Sequence, residues 1–169
     1  LGNNGQFFLS GLFWNHDLDA GDNFCLRWGN TTGTFRWNHL YSNKVFANTS
    51  LIFSNFNYGV NLKLGANDVN IFSQIRDWNL KEDLQWNPAG LHKFRIGINS
   101  IYHAIEPGNV TSSITSSFNN VVFQKRYSLE NAFYFSDAWK VNDTWNLAFG
   151  MRLSALRILG GGDSSNIDC

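Results

Sequence analysis

The stretch Trp145-Asn146-Leu147-Ala148-Phe149-Gly150-Met151-Arg152-Leu153-Ser154-Ala155 alternates without a fault. Trp145, Leu147, Phe149, Met151, Leu153 and Ala155 fall on one side, and Asn146, Ala148, Gly150, Arg152 and Ser154 on the other. Strand side chains point to opposite faces with period two, so this is a strand with one oily side and one small or polar side. Trp139 and Trp145 flank the short turn Lys140-Val141-Asn142-Asp143 that leads into it. An oily outer face, a polar inner face and aromatics at the strand end together mark a transmembrane β-barrel strand. On that reading Trp145, Leu147, Phe149, Met151 and Leu153 face lipid.

Composition agrees. The chain has 169 residues, 13 basic and 13 acidic, with 15% charged residues and 16% aromatics, including seven Trp and fifteen Phe. No window of about 20 apolar residues exists, so a membrane-crossing helix is excluded, whereas strands dilute their apolar residues two-fold and escape such a search. Zero net charge without a basic stripe speaks against a nucleic-acid partner. His16, His39, His92 and His103 are scattered without metal-ligand spacing, and Lys81-Glu82-Asp83 reads as strand polarity. No catalytic, cofactor or metal constellation emerges, so the expectation is a non-enzyme. Cys25 and Cys169 make no disulfide framework. With no charged and apolar leader, an opening Leu1 and a final Gly160-Gly161-Gly162-Asp163 stretch, residues 1–169 read as an internal piece of a barrel domain.

Seven strand-like segments follow: 5–16, 23–38, 45–58, 69–86, 91–105, 126–139 and 144–156. Connections at 39–44, 87–90 and 140–143 are brief, that at 17–22 is intermediate, and those at 59–68 and 106–125 are long. Short turns on one side and longer loops on the other are what outer-membrane barrels show. The loop from Glu106 to Lys125, rich in Ser, Thr and Asn, reads equally as a ligand-contacting loop or a mobile tip. Aromatics gather at the short turns: Trp37 and Phe46, Trp86 and Phe94, Trp139 and Trp145. Rings with a polar edge favour the headgroup layer, so these six read as one girdle. Arg95, Asn99 and Arg152, with Arg36, Asn38, Arg76, Arg126 and Glu130, are the polar members of these strands and would face a lumen. Glu82 interrupts the oily side formed by Trp78, Leu80, Leu84 and Trp86; either it lies near an interface or the register shifts there.

Three stretches carry a resemblance. Arg27-Trp28-Gly29-Asn30-Thr31-Thr32, continuing through Arg36-Trp37-Asn38-His39-Leu40-Tyr41-Ser42-Asn43-Lys44 to Phe46-Ala47-Asn48-Thr49, resembles a strand–turn–strand unit of TonB-dependent outer-membrane receptors of the Bacteroidota type. Asn79-Leu80-Lys81-Glu82-Asp83-Leu84-Gln85-Trp86 does likewise, as does Asn99-Ser100-Ile101-Tyr102-His103 leading to Glu106-Pro107-Gly108. The resemblance implies a 22-stranded barrel closed by its own plug domain. It implies import of a scarce nutrient (an iron chelate, cobalamin or a glycan) across the outer membrane of a Gram-negative bacterium, driven through the TonB complex. The plug, the TonB-engaging segment and the C-terminal strands lie outside this stretch, and no ligand residue carries over.

The expectation is therefore an all-β, antiparallel up-and-down meander forming part of a transmembrane β-barrel, with outer-membrane lipid as its partner. Two alternatives remain. A passive porin-like barrel would share the wall. A secreted carbohydrate-binding β-sandwich would instead bury its apolar faces sheet against sheet.

Overall fold

The computed structural model describes residues 5–21, 23–64, 67–88, 90–112 and 121–160. Seven long strands form one sheet: β1 (Gly5–Asp19), β2 (Phe24–Ser42), β3 (Val45–Leu64), β4 (Asn67–Trp86), β5 (His92–Ser112), β7 (Arg126–Lys140) and β8 (Asn146–Ile158). They lie side by side in chain order and are antiparallel throughout; the two-residue β6 (Val121–Val122) pairs beside β5. The fold is thus the expected all-β meander. Its two ends, β1 and β8, do not pair with each other, so the sheet is open.

The short turns have local causes. Between β7 and β8, Asn142 Oδ1 accepts from the backbone N–H groups of Thr144 at 2.9 Å and Trp145 at 2.7 Å, an Asx-type closure. The carbonyl of Trp145 accepts from Val141 N–H at 3.0 Å, and Lys140 pairs with Asp143 at 2.7 Å. At the turn before β5, Gly90 adopts a φ of 68°, a left-handed conformation that glycine reaches without a Cβ clash.

The strands outrun the segments read from sequence at their far ends. β3 continues past 58 to Leu64 and pairs with β4 back to Asn67, which turns the expected 59–68 loop into an extended hairpin. Likewise β1 runs to Asp19, and β5 continues through Glu106 to Ser112, with β6 paired to it. Residues 113–120, the centre of the expected 106–125 loop, lie outside the described residues.

The sheet is one layer thick. Contacts run only between strands adjacent in the sheet. Among the described residues the buried hydrophobic side chains are Ala47 and Ala132 alone, and no large side chain is fully enclosed. No second layer covers either face, so the face-to-face packing that defines a sandwich is absent among the described residues.

Candidate functional site

The pairing registers assign every strand residue to one of two faces. Following them from Leu147 through Trp139 to His92, and from Phe94 through Trp86 to Val45, collects an apolar band on a single face. In β8 the band is Leu147, Phe149, Met151, Leu153; in β7 it is Leu129, Phe133, Phe135, Trp139; in β5 it is Phe94, Ile96, Ile98, Tyr102. Trp78, Leu80, Leu84 and Trp86 of β4, then Val45, Ala47, Leu51 and Phe53 of β3, continue it. Phe35 and Trp37 of β2 and Phe7, Leu9 and Phe13 of β1 complete it. Many of these side chains are open to the surroundings, Met151 at 70% and Leu153 at 75% exposed, while Ala47 is buried. Leu147, Phe149, Met151 and Leu153 thus share one exposed face, and Trp145, also exposed, closes the turn below them.

Ring contacts run along the turn-side edge of the band. Phe7 stacks on Trp37 at 5.9 Å, Trp86 meets Phe94 at 5.3 Å, and His92 stacks on Trp139 at 5.4 Å. Phe46 departs from the expected girdle. It pairs with Leu40 and Gln85 on the opposite face, one step along the strand from Ala47 on the band. Arg76 departs in the other direction: it lies two residues beyond Trp78 on the band face, opposite Asn55 and Ala104.

Glu82 keeps the simple register and sits within the band, opposite Thr49 and Ile98. Its carboxyl group accepts from Thr49 Oγ1 at 2.5 Å. Cross-strand pairing of two polar groups on one face is how a sheet satisfies a polar interruption locally.

Behind the band, the opposite face is mainly polar or small, though Phe8, Leu12, Leu40, Phe46 and Ile52 also lie on it. Arg95, Asn99 and Arg152 all lie there, with Arg36, Asn38, Arg126 and Glu130. At its centre the Tyr134 ring lies across Gly97, where an added Cβ would come within 2.2 Å of the ring. Tyr134 donates its hydroxyl hydrogen to Asp83, Asp83 pairs with Lys81 at 3.1 Å, and the Arg152 guanidinium sits 5.7 Å from the Tyr134 ring centre. The side-chain oxygens of Asn38, Asn79 and Asn99 are shielded and unpartnered on this same face.

Toward the far ends of the strands the two faces exchange character. On β3 the apolar residues move from Ala47, Leu51 and Phe53 to Phe56, Tyr58, Val60 and Leu62, a switch from odd to even positions. On β4 they move to Ile75, Ile71 and Val69, and on β2 to Trp28, Leu26 and Phe24. Meanwhile the band face turns largely polar, with Asn15, Asp17, Arg27, Asn55, Asn57, Asn61, Gln74 and Asn70, though Phe72 stays on it. Here Arg27 pairs with Asp17 at 3.0 Å and Gln74 donates to Asn55 at 2.8 Å. Trp14, His16 and Trp28 form a ring cluster on the inverted side, with centroids 5.3 and 5.7 Å apart, and Tyr58 stands opposite Trp28. A single-face reading of the sequence misses this cluster; the signal is a period of two that persists while its phase flips.

At this far end Cys25 lies beside Asp19, whose hydrogen bond and negative charge push the thiol pKa up. Among the described residues no group of three His, Cys, Asp or Glu side chains could hold a metal ion. No helix is long and apolar enough to cross a membrane, which says nothing of strands that cross. No family model matches the chain, and no curated protein matches its sequence.

Proposed function

We propose that this sheet is a section of outer-membrane β-barrel wall from a TonB-dependent receptor, a transporter rather than an enzyme. The observation that carries the reading is the exposed apolar band with polar faces behind and beyond it. In β3 the band spans Val45 to Phe53, eight residue steps and so about 27 Å along the strand. Tilted by roughly 40°, that is about 20 Å of height, close to the ~25 Å oily belt of outer-membrane barrels. Beyond it the strands continue for another ten residues or so with polar groups outward, as in a large barrel that projects past the bilayer. In water the band would leave large apolar area exposed at about 25 cal/mol per Å², a cost that lipid removes. Hydrocarbon also demands that backbone groups be paired, so the free edges of β1 and β8 would be joined by further strands of a closed barrel.

The receptor assignment rests additionally on the sequence resemblance. In that role the polar face, with Arg95, Asn99, Arg152 and the unpartnered Asn oxygens, meets a folded plug or lumen water. The transported ligand would be a scarce nutrient taken up from outside the cell. The test is to express the full-length protein with and without a substitution in the wall. Membrane extraction only by detergent, with ligand uptake that depends on TonB, is the expected result. Recovery as a soluble protein would overturn the wall, and uptake independent of TonB would overturn the receptor assignment while leaving the wall.

A further inference from the structure

Asp137 is an anomaly on the band face. It is 3% exposed, opposite Phe94 on β5 and Phe149 on β8, between Phe135 and Trp139 along its own strand. A carboxyl group enclosed by rings is costly unless its oxygens are engaged. One oxygen is: Asp137 Oδ2 lies 2.7 Å from His92 Nδ1. The other, Oδ1, is shielded and has no partner. His92 is itself clamped between Phe94 at 5.5 Å and Trp139 at 5.4 Å, both nearly parallel to it. Because Nδ1 is taken by the carboxyl group, Nε2 is the ring nitrogen left to face outward, and the side chain is 35% exposed.

We infer that Asp137 and His92, framed by Phe94, Trp139 and Phe149, form a site for the zwitterionic headgroup of a phosphatidylethanolamine-type lipid at the turn-side rim of the band. The inference rests on the reading that the band faces lipid. The chemistry matches on three counts. A primary ammonium brings N–H donors for the empty Oδ1 acceptor, making a charge-assisted hydrogen bond. Aromatic faces around it attract the same cation. The imidazolium form of His92 offers Nε2–H to the adjoining phosphodiester, so a dipolar headgroup meets a dipolar pair. Phe149, 56% exposed and directly opposite Asp137, is the ring that would have to move to admit the ammonium. His39 supplies an internal contrast: it lies on the same face between Trp37 and Tyr41, at 5.2 and 4.4 Å, and pairs with no carboxyl group among the described residues.

The test is native mass spectrometry of the full-length detergent-purified barrel, titrated separately with phosphatidylethanolamine and phosphatidylglycerol of matched chains. Retention of at least one ethanolamine lipid, fivefold or more above glycerol lipid, is expected. Asp137→Asn and His92→Gln should each abolish the preference, and His39→Gln should preserve it. Equal retention of the two lipids by the wild-type protein overturns the site, whatever the variants do. A preference that survives both Asp137→Asn and His92→Gln overturns it too. A protein that needs no detergent at all would instead bring down the wall reading, so the two failures are distinguishable.

Discussion

Within a single strand, β3, two halves obey one rule with opposite sign. From Val45 to Phe53 the odd positions are apolar apart from Thr49, and the even ones carry the polar Asn48 and Ser50 beside Phe46 and Ile52. From Phe56 to Leu62 the even positions are apolar while Asn55, Asn57 and Asn61 occupy the odd ones. The backbone does not notice the change, because the β3–β4 register runs unbroken from Val45–Trp86 to Leu64–Asn67. What alters is the surroundings each face must suit. One half presents oil on the band face, and the other presents amides there and carries its rings on the opposite face. A soluble sheet exposed to one solvent has no reason for such a switch; a wall that leaves a bilayer partway along its length does.

The largest test of that contrast is a charge at matched positions of the two halves. Met151→Arg places a guanidinium at the centre of the β8 band and should destabilise the folded barrel by about 2–4 kcal/mol, whereas Asn57→Arg, on the same face beyond the band, should cost less than about 1 kcal/mol. Urea-dependent refolding into vesicles reads both, and equal costs would erase the distinction. Next comes the polar wall behind the band. Gly97→Ala forces the Tyr134 ring off its seat, at about 1–3 kcal/mol by the usual cost of overpacking. Adding Tyr134→Ala to Gly97→Ala should recover part of that loss, and strict additivity would show the two residues to be uncoupled.

A comparable effect is expected from the Glu82–Thr49 pair that interrupts the band. Thr49→Val leaves the Glu82 carboxyl without its donor, which should cost about 1–3 kcal/mol. Thr49→Val combined with Glu82→Leu removes both partners and should return stability to wild type or above it. The smallest effect lies at the far end. Asp19 holds the Cys25 thiol above its ordinary pKa, so at pH 8 less thiolate is present and maleimide labelling should be slower than for a free thiol. Asp19→Asn removes the main cause and should speed labelling; an unchanged rate would contradict the contact.

Much of this was legible in the sequence where one face is consistently oily. The run from Trp145 to Ala155 and the alternation around Phe94, Ile96 and Ile98 gave the strands, the meander and the residues of the band, and Arg95, Asn99 and Arg152 fell together on the other side. Strand ends were less legible: the segment read as 45–58 continues to Leu64 as β3, where the oily residues have changed faces. Phe46 was misplaced because it was grouped by its nearness to the turn, whereas alternation with Ala47, Leu51 and Phe53 sets it on the opposite face, paired with Leu40. Asp137 and His92, 45 residues apart, become neighbours only through the β5–β7 register.

The central claim is that the band meets hydrocarbon while the far halves of the strands meet water. Nitroxide labels placed singly along β8 from 147 to 155 and along β3 from 55 to 62, in the full-length protein reconstituted into vesicles, measure this directly through collision with oxygen and with a water-soluble nickel complex. Oxygen access should peak at 147, 149, 151 and 153 and fall at the intervening positions, with no oxygen-rich positions on β3 from 55 to 62. A uniform, nickel-accessible profile along both strands would contradict the account.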